Sequence, residues 1–223
     1  MVTDRTVTHG DLVELVERAV QAVQGGVDLV QLREKDLPAG ELLGLAATLL
    51  DAIGGRAKLI VNDRADVALA AGAQGIQLGE DGLPVSAARK TLGRRALIGR
   101  SVHSASAASQ AESDGADFLI VGAIFASHSH PGQEPAGTDL MRRISRDCRL
   151  PLIGIGGITP ENTPAVIEAG GSGVAVITNI LAASDPQAAA ARLKEAICEA
   201  WAQSQKSGMG KAAVMGEEGR EKL

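Results

Sequence analysis

Residues 151–159 read PLIGIGGIT. An apolar run rich in β-branched residues stops at Gly156-Gly157, and a helix-like segment over residues 160–169 follows. Such a run, too short for a buried helix and closed by glycines, reads as a buried strand that hands over to a helix through a turn without side chains. Adjacent glycines let the main chain approach a ligand closely, and the peptide N–H groups at a helix N-terminus favour phosphate. A simple tight turn would use the same residues. Residues 173–177, GVAVI, repeat the pattern and end at Thr178-Asn179 before the next helix. Two successive strand ends of this kind are where phosphates sit in a (β/α)8 barrel.

Outward from that stretch, short apolar runs alternate with longer helical patterns. Leu12, Leu15, Val16, Ala19, Val20 and Val23 recur at helical spacing within residues 10–24, followed by a strand over 27–32 and a helix containing 42–50. Strands at 57–61, 75–78 and 96–99 precede helices at 65–71, 85–92 and 105–114. A strand at 118–121, a long loop over 123–137 and a helix at 138–146 come next, and a helix over 186–202 follows the strand at 173. With residues 1–3 as the stub of a first strand, this makes eight βα units. Near-continuous apolar strands alternating with helices predict a parallel sheet covered by helices, a single α/β (β/α)8 TIM barrel over residues 1–203. A doubly wound sheet is the competing architecture. Residues 204–223 are polar, glycine-dotted and aperiodic, and read as a disordered tail.

Composition narrows the function. The 223 residues are 45% hydrophobic but include one Trp, two Phe and no Tyr, so the core is aliphatic and platforms for stacking nucleic-acid bases are missing. A net charge of −5 without a basic block argues against nucleic acid and anionic membranes, and fits a soluble cytoplasmic protein acting on small molecules. Cys148 and Cys198 lack CxxC spacing and read as reduced thiols. The first residues, MVTDRTVTHGDL, are polar and acidic, unlike a signal peptide, and no apolar run reaches the roughly 18 residues of a membrane span.

In a barrel, chemistry gathers at the C-terminal strand ends. The second strand delivers Gln31, Arg33 and Lys35 to one side, with Glu34 opposite. Two cations and an amide suit a diphosphate, although a strand end salt-bridged through Asp36 would need the same residues. The third ends in Asn62-Asp63-Arg64, where Asn and Asp could simply cap the next helix. Near Arg33 and Lys35, Asp63 would also be a natural Mg2+ ligand, because Mg2+ takes few carboxylates and shares its shell with phosphate oxygens. Gln77 and the acidic turn Gly79-Glu80-Asp81-Gly82 follow the fourth strand, as a further ligand source or a solvated loop. Alternation puts Ser101 and His103 on one side at the fifth, with His103 either structural or an acid/base. After the sixth come Ser127, His128, Ser129 and His130, too few ligands for zinc and better suited to phosphate contact or an ordered lid.

Together, QLREK, LIVNDR, GIQLGED, GRSVHS, ADFLIVGAIF, PLIGIGGIT and GVAVIT stand in the order and spacing of the thiamine phosphate synthase and thiazole tautomerase superfamily, which the chain resembles over residues 2–201. The resemblance implies a (β/α)8 barrel. For the synthase branch it implies Mg2+-assisted joining of hydroxymethylpyrimidine diphosphate to a thiazole phosphate, or its carboxylate form, with release of diphosphate. The matching positions assign Gln31, Leu32, Arg33, Glu34, Lys35 and Asn62 to the pyrimidine diphosphate, Asp63 to Mg2+ and Ser101 to the pyrimidine. Ser127, Ser129 and His130 match a loop that contacts substrate, and Gly157, Ile177 and Thr178 the thiazole phosphate site. Arg33, Lys35, Ser101 and His130 are the implied catalytic set, and a homo-oligomer is compatible with the resemblance.

Three positions depart from the synthase pattern. The second Mg2+ aspartate falls at Gly82, so Asp81, or Glu80, would have to replace it. The lysine after the loop's hydroxyl pair is His130, and the histidine of the fourth-strand motif is Gln77. Gln77 and GRSVHS resemble the tautomerase branch, which isomerises the thiazole carboxylate phosphate without a metal, yet that branch's acid/base histidine falls at Ala123, so His103, His128 or His130 would have to take over. A non-catalytic thiazole-phosphate binder is the third reading.

Overall fold

The computed structural model describes residues 1–127 and 134–206. Its strands are β1 (Leu29–Leu32), β2 (Lys58–Asn62), β3 (Gly75–Leu78), β4 (Leu97–Val102), β5 (Phe118–Val121), β6 (Leu152–Ile155) and β7 (Gly173–Ala175). They pair in chain order, all parallel, in one seven-stranded curled sheet. Between and after them lie α1 (Leu12–Gln24), α2 (Ala39–Ile53), α3 (Ala65–Ala71), α4 (Val85–Leu92), α5 (Ala105–Ser113), α6 (Gly137–Asp147), α7 (Thr163–Glu168), α8 (Thr178–Leu181) and α9 (Pro186–Lys206). The expected eighth strand is only a bridge. Val2 pairs with Gln31 and its N–H donates to Val176 O at 2.9 Å, while Gln31 N–H donates to Met1 O at 2.9 Å. The stub therefore lies between β7 and β1 and closes the ring, so a TIM-barrel-like fold stands with seven full strands and one minimal stave.

Two apolar layers hold it together. Alternate residues of the strands face inward, where Ile60, Leu97, Phe118 and Ile120 pack with Leu29, Ile153 and Ile155. Their neighbours Val30, Leu59, Ile76, Ile98 and Leu119 face outward into the layer beneath the helices and are fully buried. Each such side chain stabilises the fold by about 1.5–3 kcal/mol. With so few aromatics, one ring fills the interior because its neighbour has no side chain: a Cβ on Gly99 would lie 2.3 Å from Phe118 Cζ. The α1 helix shows how sequence sets an element. Asp11 caps it by accepting from the Val13 and Glu14 amides at 2.8 and 3.0 Å, and Leu15, Ala19, Ala22 and Val23 form its buried face.

Several boundaries differ from expectation. The β4 strand continues to Val102, which keeps Arg100 and Ser101 within it. The β7 strand stops at Ala175, and Thr178-Asn179 belong to α8 rather than preceding a helix. The α7 helix starts at Thr163 rather than residue 160, because Asn162 holds a turn, accepting from Thr159 N–H and donating to Gly157 O, both at 2.9 Å. The α9 helix runs to Lys206, so residues 204–206 are helical; the rest of the expected tail lies outside the described residues. Among the described residues no helix is long and apolar enough to cross a membrane.

Candidate active site

The inward positions at the C-terminal ends of β1 to β4 are polar, where the same face deeper in the sheet is apolar. Gln31, 5% exposed, donates through Nε2 to Asn62 Oδ1 at 2.9 Å, and Asn62 Nδ2 donates to Asp63 Oδ2 at 2.9 Å. Asp63 adopts a left-handed backbone, φ 57, which turns the chain off β2. Its N–H donates to Gln77 O at 2.8 Å, and its Oδ1 accepts from Gly79 N–H at 2.7 Å. The carboxylate is thus fixed over β2 and β3 from both sides.

Past the end of the neighbouring β1 come Arg33, half-buried, and Lys35, exposed; neither side chain has a partner among the described residues. The alternative reading, Arg33 and Lys35 salt-bridged through Asp36, is not what forms. Asp36 is taken by Arg5, whose Nη1 and Nη2 lie 2.5 and 2.6 Å from its oxygens, and this guanidinium holds the Asp36 carboxyl below the usual carboxylate range. Arg64 is likewise occupied: its hydrogen bonds to Asp66, at 2.9 and 2.6 Å, draw that carboxyl down to about 2.

Two of the expected substrate contacts face elsewhere. Leu32 is fully buried in the outer layer, where a substrate cannot reach its side chain. Glu34, 5% exposed, accepts from Thr3 Oγ1 at 2.7 Å and from Arg5 N–H at 3.1 and 3.2 Å. Thr3 Oγ1 in turn accepts from Arg33 N–H at 2.9 Å. This carboxylate fastens the first stave to β1, a structural role that places the backbone of Arg33. Thr3 and Arg5 were missed by sequence reasoning, since nothing in a local pattern links partners about 30 residues apart.

The acidic turn after β3 wraps Asp63 with backbone rather than with a second carboxylate. A Cβ on Gly82 would lie 2.6 Å from Asp63 Oδ1, so the turn as folded has no room for a side chain there. Glu80 points to His103, Oε2 to Nδ1 2.7 Å, and Arg100 clamps the turn by donating to Glu80 O and Leu83 O at 2.6 and 3.0 Å. As folded, Glu80 and His103 are paired with each other at the surface. Alternation carried His103 inward on paper, but the strand ends at Val102 and the rule ends with it. Asp81 is exposed and outside the Asp63 network, and among the described residues no group of three or more His, Cys, Asp or Glu is gathered to hold a metal. Asp63 alone, with one hydrogen bond to each oxygen and lone pairs to spare, fits Mg2+ shared with phosphate oxygens but not a closed protein cage.

Ser101, half-buried on β4, accepts from Gln77 Nε2 at 3.0 Å. Across the ring, the loop after β5 is zipped onto that after β6 by Ile124 N–H to Ile155 O, 2.8 Å, and Phe125 N–H to Gly156 O, 3.0 Å. Gly157 has φ 60, and a Cβ there would lie 2.2 Å from Ala126 O. Ile177 precedes α8, whose first residue, Thr178, is exposed, and the amides of Gly157, Ile177 and Thr178 donate no backbone hydrogen bond among the described residues. Ser127 is half-buried in the β5 loop; His128, Ser129 and His130 lie outside the described residues. Among the described residues neither cysteine is in a disulfide; Cys148 is buried and Cys198 exposed.

The sequence matches the thiamine monophosphate synthase family over residues 1–180. It is 46% identical to the thiamine-phosphate synthase of Natronomonas pharaonis over 189 residues, covering 82% of this chain and 86% of that one. The thiamine-phosphate synthase of Moorella thermoacetica is 46% identical over 182 residues, 80% of this chain and 86% of the relative. The structure resembles that of a thiamine phosphate pyrophosphorylase from Pyrococcus furiosus with a TM-score of 0.80 and 32% identity, across 89% of this chain and 94% of that one.

Proposed function

The chain belongs to the thiamine monophosphate synthase family, and from that premise we propose that it joins hydroxymethylpyrimidine diphosphate to a thiazole phosphate, or its carboxylate form, yielding thiamine phosphate and diphosphate. It is a transferase. One observation carries the reading: two cationic side chains without protein partners among the described residues, Arg33 and Lys35, follow the end of β1, the strand paired with β2, whose own end carries the Asp63 carboxylate held from both sides. In an acidic protein whose other strand-end cations, Arg5, Arg64 and Arg100, are all engaged, a diphosphate is the chemistry that suits this pair.

The bond between the pyrimidine methylene and the diphosphate oxygen breaks, and its electron pair leaves with the diphosphate. The methylene becomes a cation conjugated with the aminopyrimidine, and the lone pair of the thiazole nitrogen closes the new C–N bond. No general base is required for that capture. Arg33 and Lys35 stabilise the charge that develops on the leaving group, because donors fixed beforehand need no reorganisation as the bond breaks. Gln31 and Asn62, locked to one another, orient the pyrimidine end together with the Ser101 hydroxyl. Gly157, Ile177 and Thr178 hold the thiazole phosphate across the mouth, so that the nitrogen meets the methylene before water does. Ser127, Ser129 and His130, which follow β5 in the chain, are proposed to contact substrate. Mg2+, when bound through Asp63, would supply positive charge to the departing diphosphate; Asp81 is left out of its shell.

Among the described residues the tautomerase reading finds little support: Ala123, where that branch's acid/base histidine falls, has no titratable side chain, and His103 is paired with Glu80 at the surface. Cysteines outside any disulfide among the described residues, and the acidic balance, support a cytoplasmic location. The test is incubation of purified protein with both substrates, with Mg2+ and then with EDTA, following diphosphate and thiamine phosphate together. Mg2+-dependent appearance of both products is expected; absence of thiamine phosphate would overturn the reading.

A further inference from the structure

Gln77 is 1% exposed, and its Oε1 is a buried acceptor without a hydrogen-bond partner. Its Nε2 donates to Ser101 Oγ at 3.0 Å and to Leu78 O at 3.3 Å. The second contact decides which way the amide faces. A carbonyl oxygen can only be met by a donor, so turning the amide over would set Oε1 against Leu78 O with no hydrogen between them. The space on the other side is kept open by a missing side chain: a Cβ on Gly99 would lie 2.1 Å from Oε1.

We infer that Gln77 is a positioning residue that makes Ser101 a hydrogen-bond donor toward the substrate. Because Ser101 Oγ already accepts from Gln77, its own hydrogen is directed away from β3 and toward the mouth of the barrel. Ser101 then selects for an acceptor lone pair, such as that of an unprotonated ring nitrogen, and against an N–H at the same place. Leaving Oε1 unpaired costs stability, and that cost is retained at a position where an apolar side chain of similar size would avoid it. This inference rests on the reading that Ser101 meets the pyrimidine.

A double-mutant cycle tests it. Gln77→Glu keeps the shape but offers an acceptor, which draws the Ser101 hydrogen inward; Gln77→Met keeps the volume and offers nothing. Steady-state kinetics of Gln77→Glu, Gln77→Met, Ser101→Ala and the two double variants would be measured with each substrate varied in turn. Gln77→Glu is expected to raise the KM for the pyrimidine diphosphate about tenfold, with the KM for the thiazole phosphate unchanged. Gln77→Met is expected to cost less, and neither substitution to add a further penalty when combined with Ser101→Ala. Equal penalties with the Ser101 hydroxyl present and with it removed, or equal shifts in both KM values, would overturn the inference. Should the Glu variant not fold, the Met variant makes the same comparison by itself. Inactivity of the unaltered protein would instead overturn the proposed reaction, so the two failures are distinguishable.

Discussion

The two sides of the barrel mouth are built from different materials. At the ends of β1 to β3 the polar surface is made of side chains: Gln31, Asn62 and Asp63 linked in series, with Arg33 and Lys35 following β1. At the ends of β6 and β7 it is made of backbone: Gly157 under Ala126, and the amides that open α8. On the proposed reading the first side should lose function when a side chain is removed, the second when one is added. A site assembled this way can address its two substrates separately, one by charge and one by shape and amide dipoles.

The largest effect is expected where charge is removed. Arg33→Ala should lower kcat/KM for the pyrimidine diphosphate by about a thousandfold while leaving thiazole phosphate affinity intact, since charge-assisted bonds to phosphate are each worth about 1.5–3 kcal/mol and strengthen as the leaving group forms. Initial rates with each substrate varied check it. Asp63→Ala should cost about a hundredfold and raise the Mg2+ concentration for half-maximal rate, read from a metal titration of activity. It removes the acceptor of Gly79 N–H as well, so a modest loss of stability should accompany it.

On the other side the expected signature is mixed. Gly157→Ala puts a Cβ into Ala126 O at a positive φ, and should destabilise the fold by about 1–3 kcal/mol in urea unfolding while weakening thiazole phosphate about tenfold or more. Thr178→Val, which keeps the shape and removes one hydroxyl, should raise the thiazole phosphate KM only a few-fold, about the loss of one neutral hydrogen bond. If Thr178→Val instead mattered more than Gly157→Ala, the β7 side would be a side-chain site after all, and the contrast would fail.

The same contrast explains what was legible in the sequence. Period-two alternation put Gln31 on the inner face, where it meets Asn62, and Glu34 opposite, and Glu34 does turn away from the site; Arg33 and Lys35 lie past the end of β1, where the alternation no longer binds. Glycine punctuation and apolar runs gave β3, β5, α3 and α4 their full extents. What failed did so for physical reasons. Val176 and Ile177 are apolar and β-branched like strand residues, yet they lie between β7 and α8, a distinction that no periodicity carries. The turn before α7 depends on the Asn162 side chain reaching back five residues to Gly157 O. His103 followed an alternation that had already stopped, and Asp36 found Arg5 rather than a neighbour in sequence. Gly82 could be seen as a departure, but its cause, a turn folded tightly around Asp63, exists only in three dimensions.

The most direct measurement is calorimetric titration of each substrate alone into Arg33→Ala and into Gly157→Ala. The account predicts a crossed result: Arg33→Ala loses the pyrimidine diphosphate and keeps the thiazole phosphate, and Gly157→Ala does the reverse. Equal weakening of both ligands by either variant, or loss of the pyrimidine diphosphate from Gly157→Ala, would contradict a mouth divided between a charged side-chain half and a backbone half.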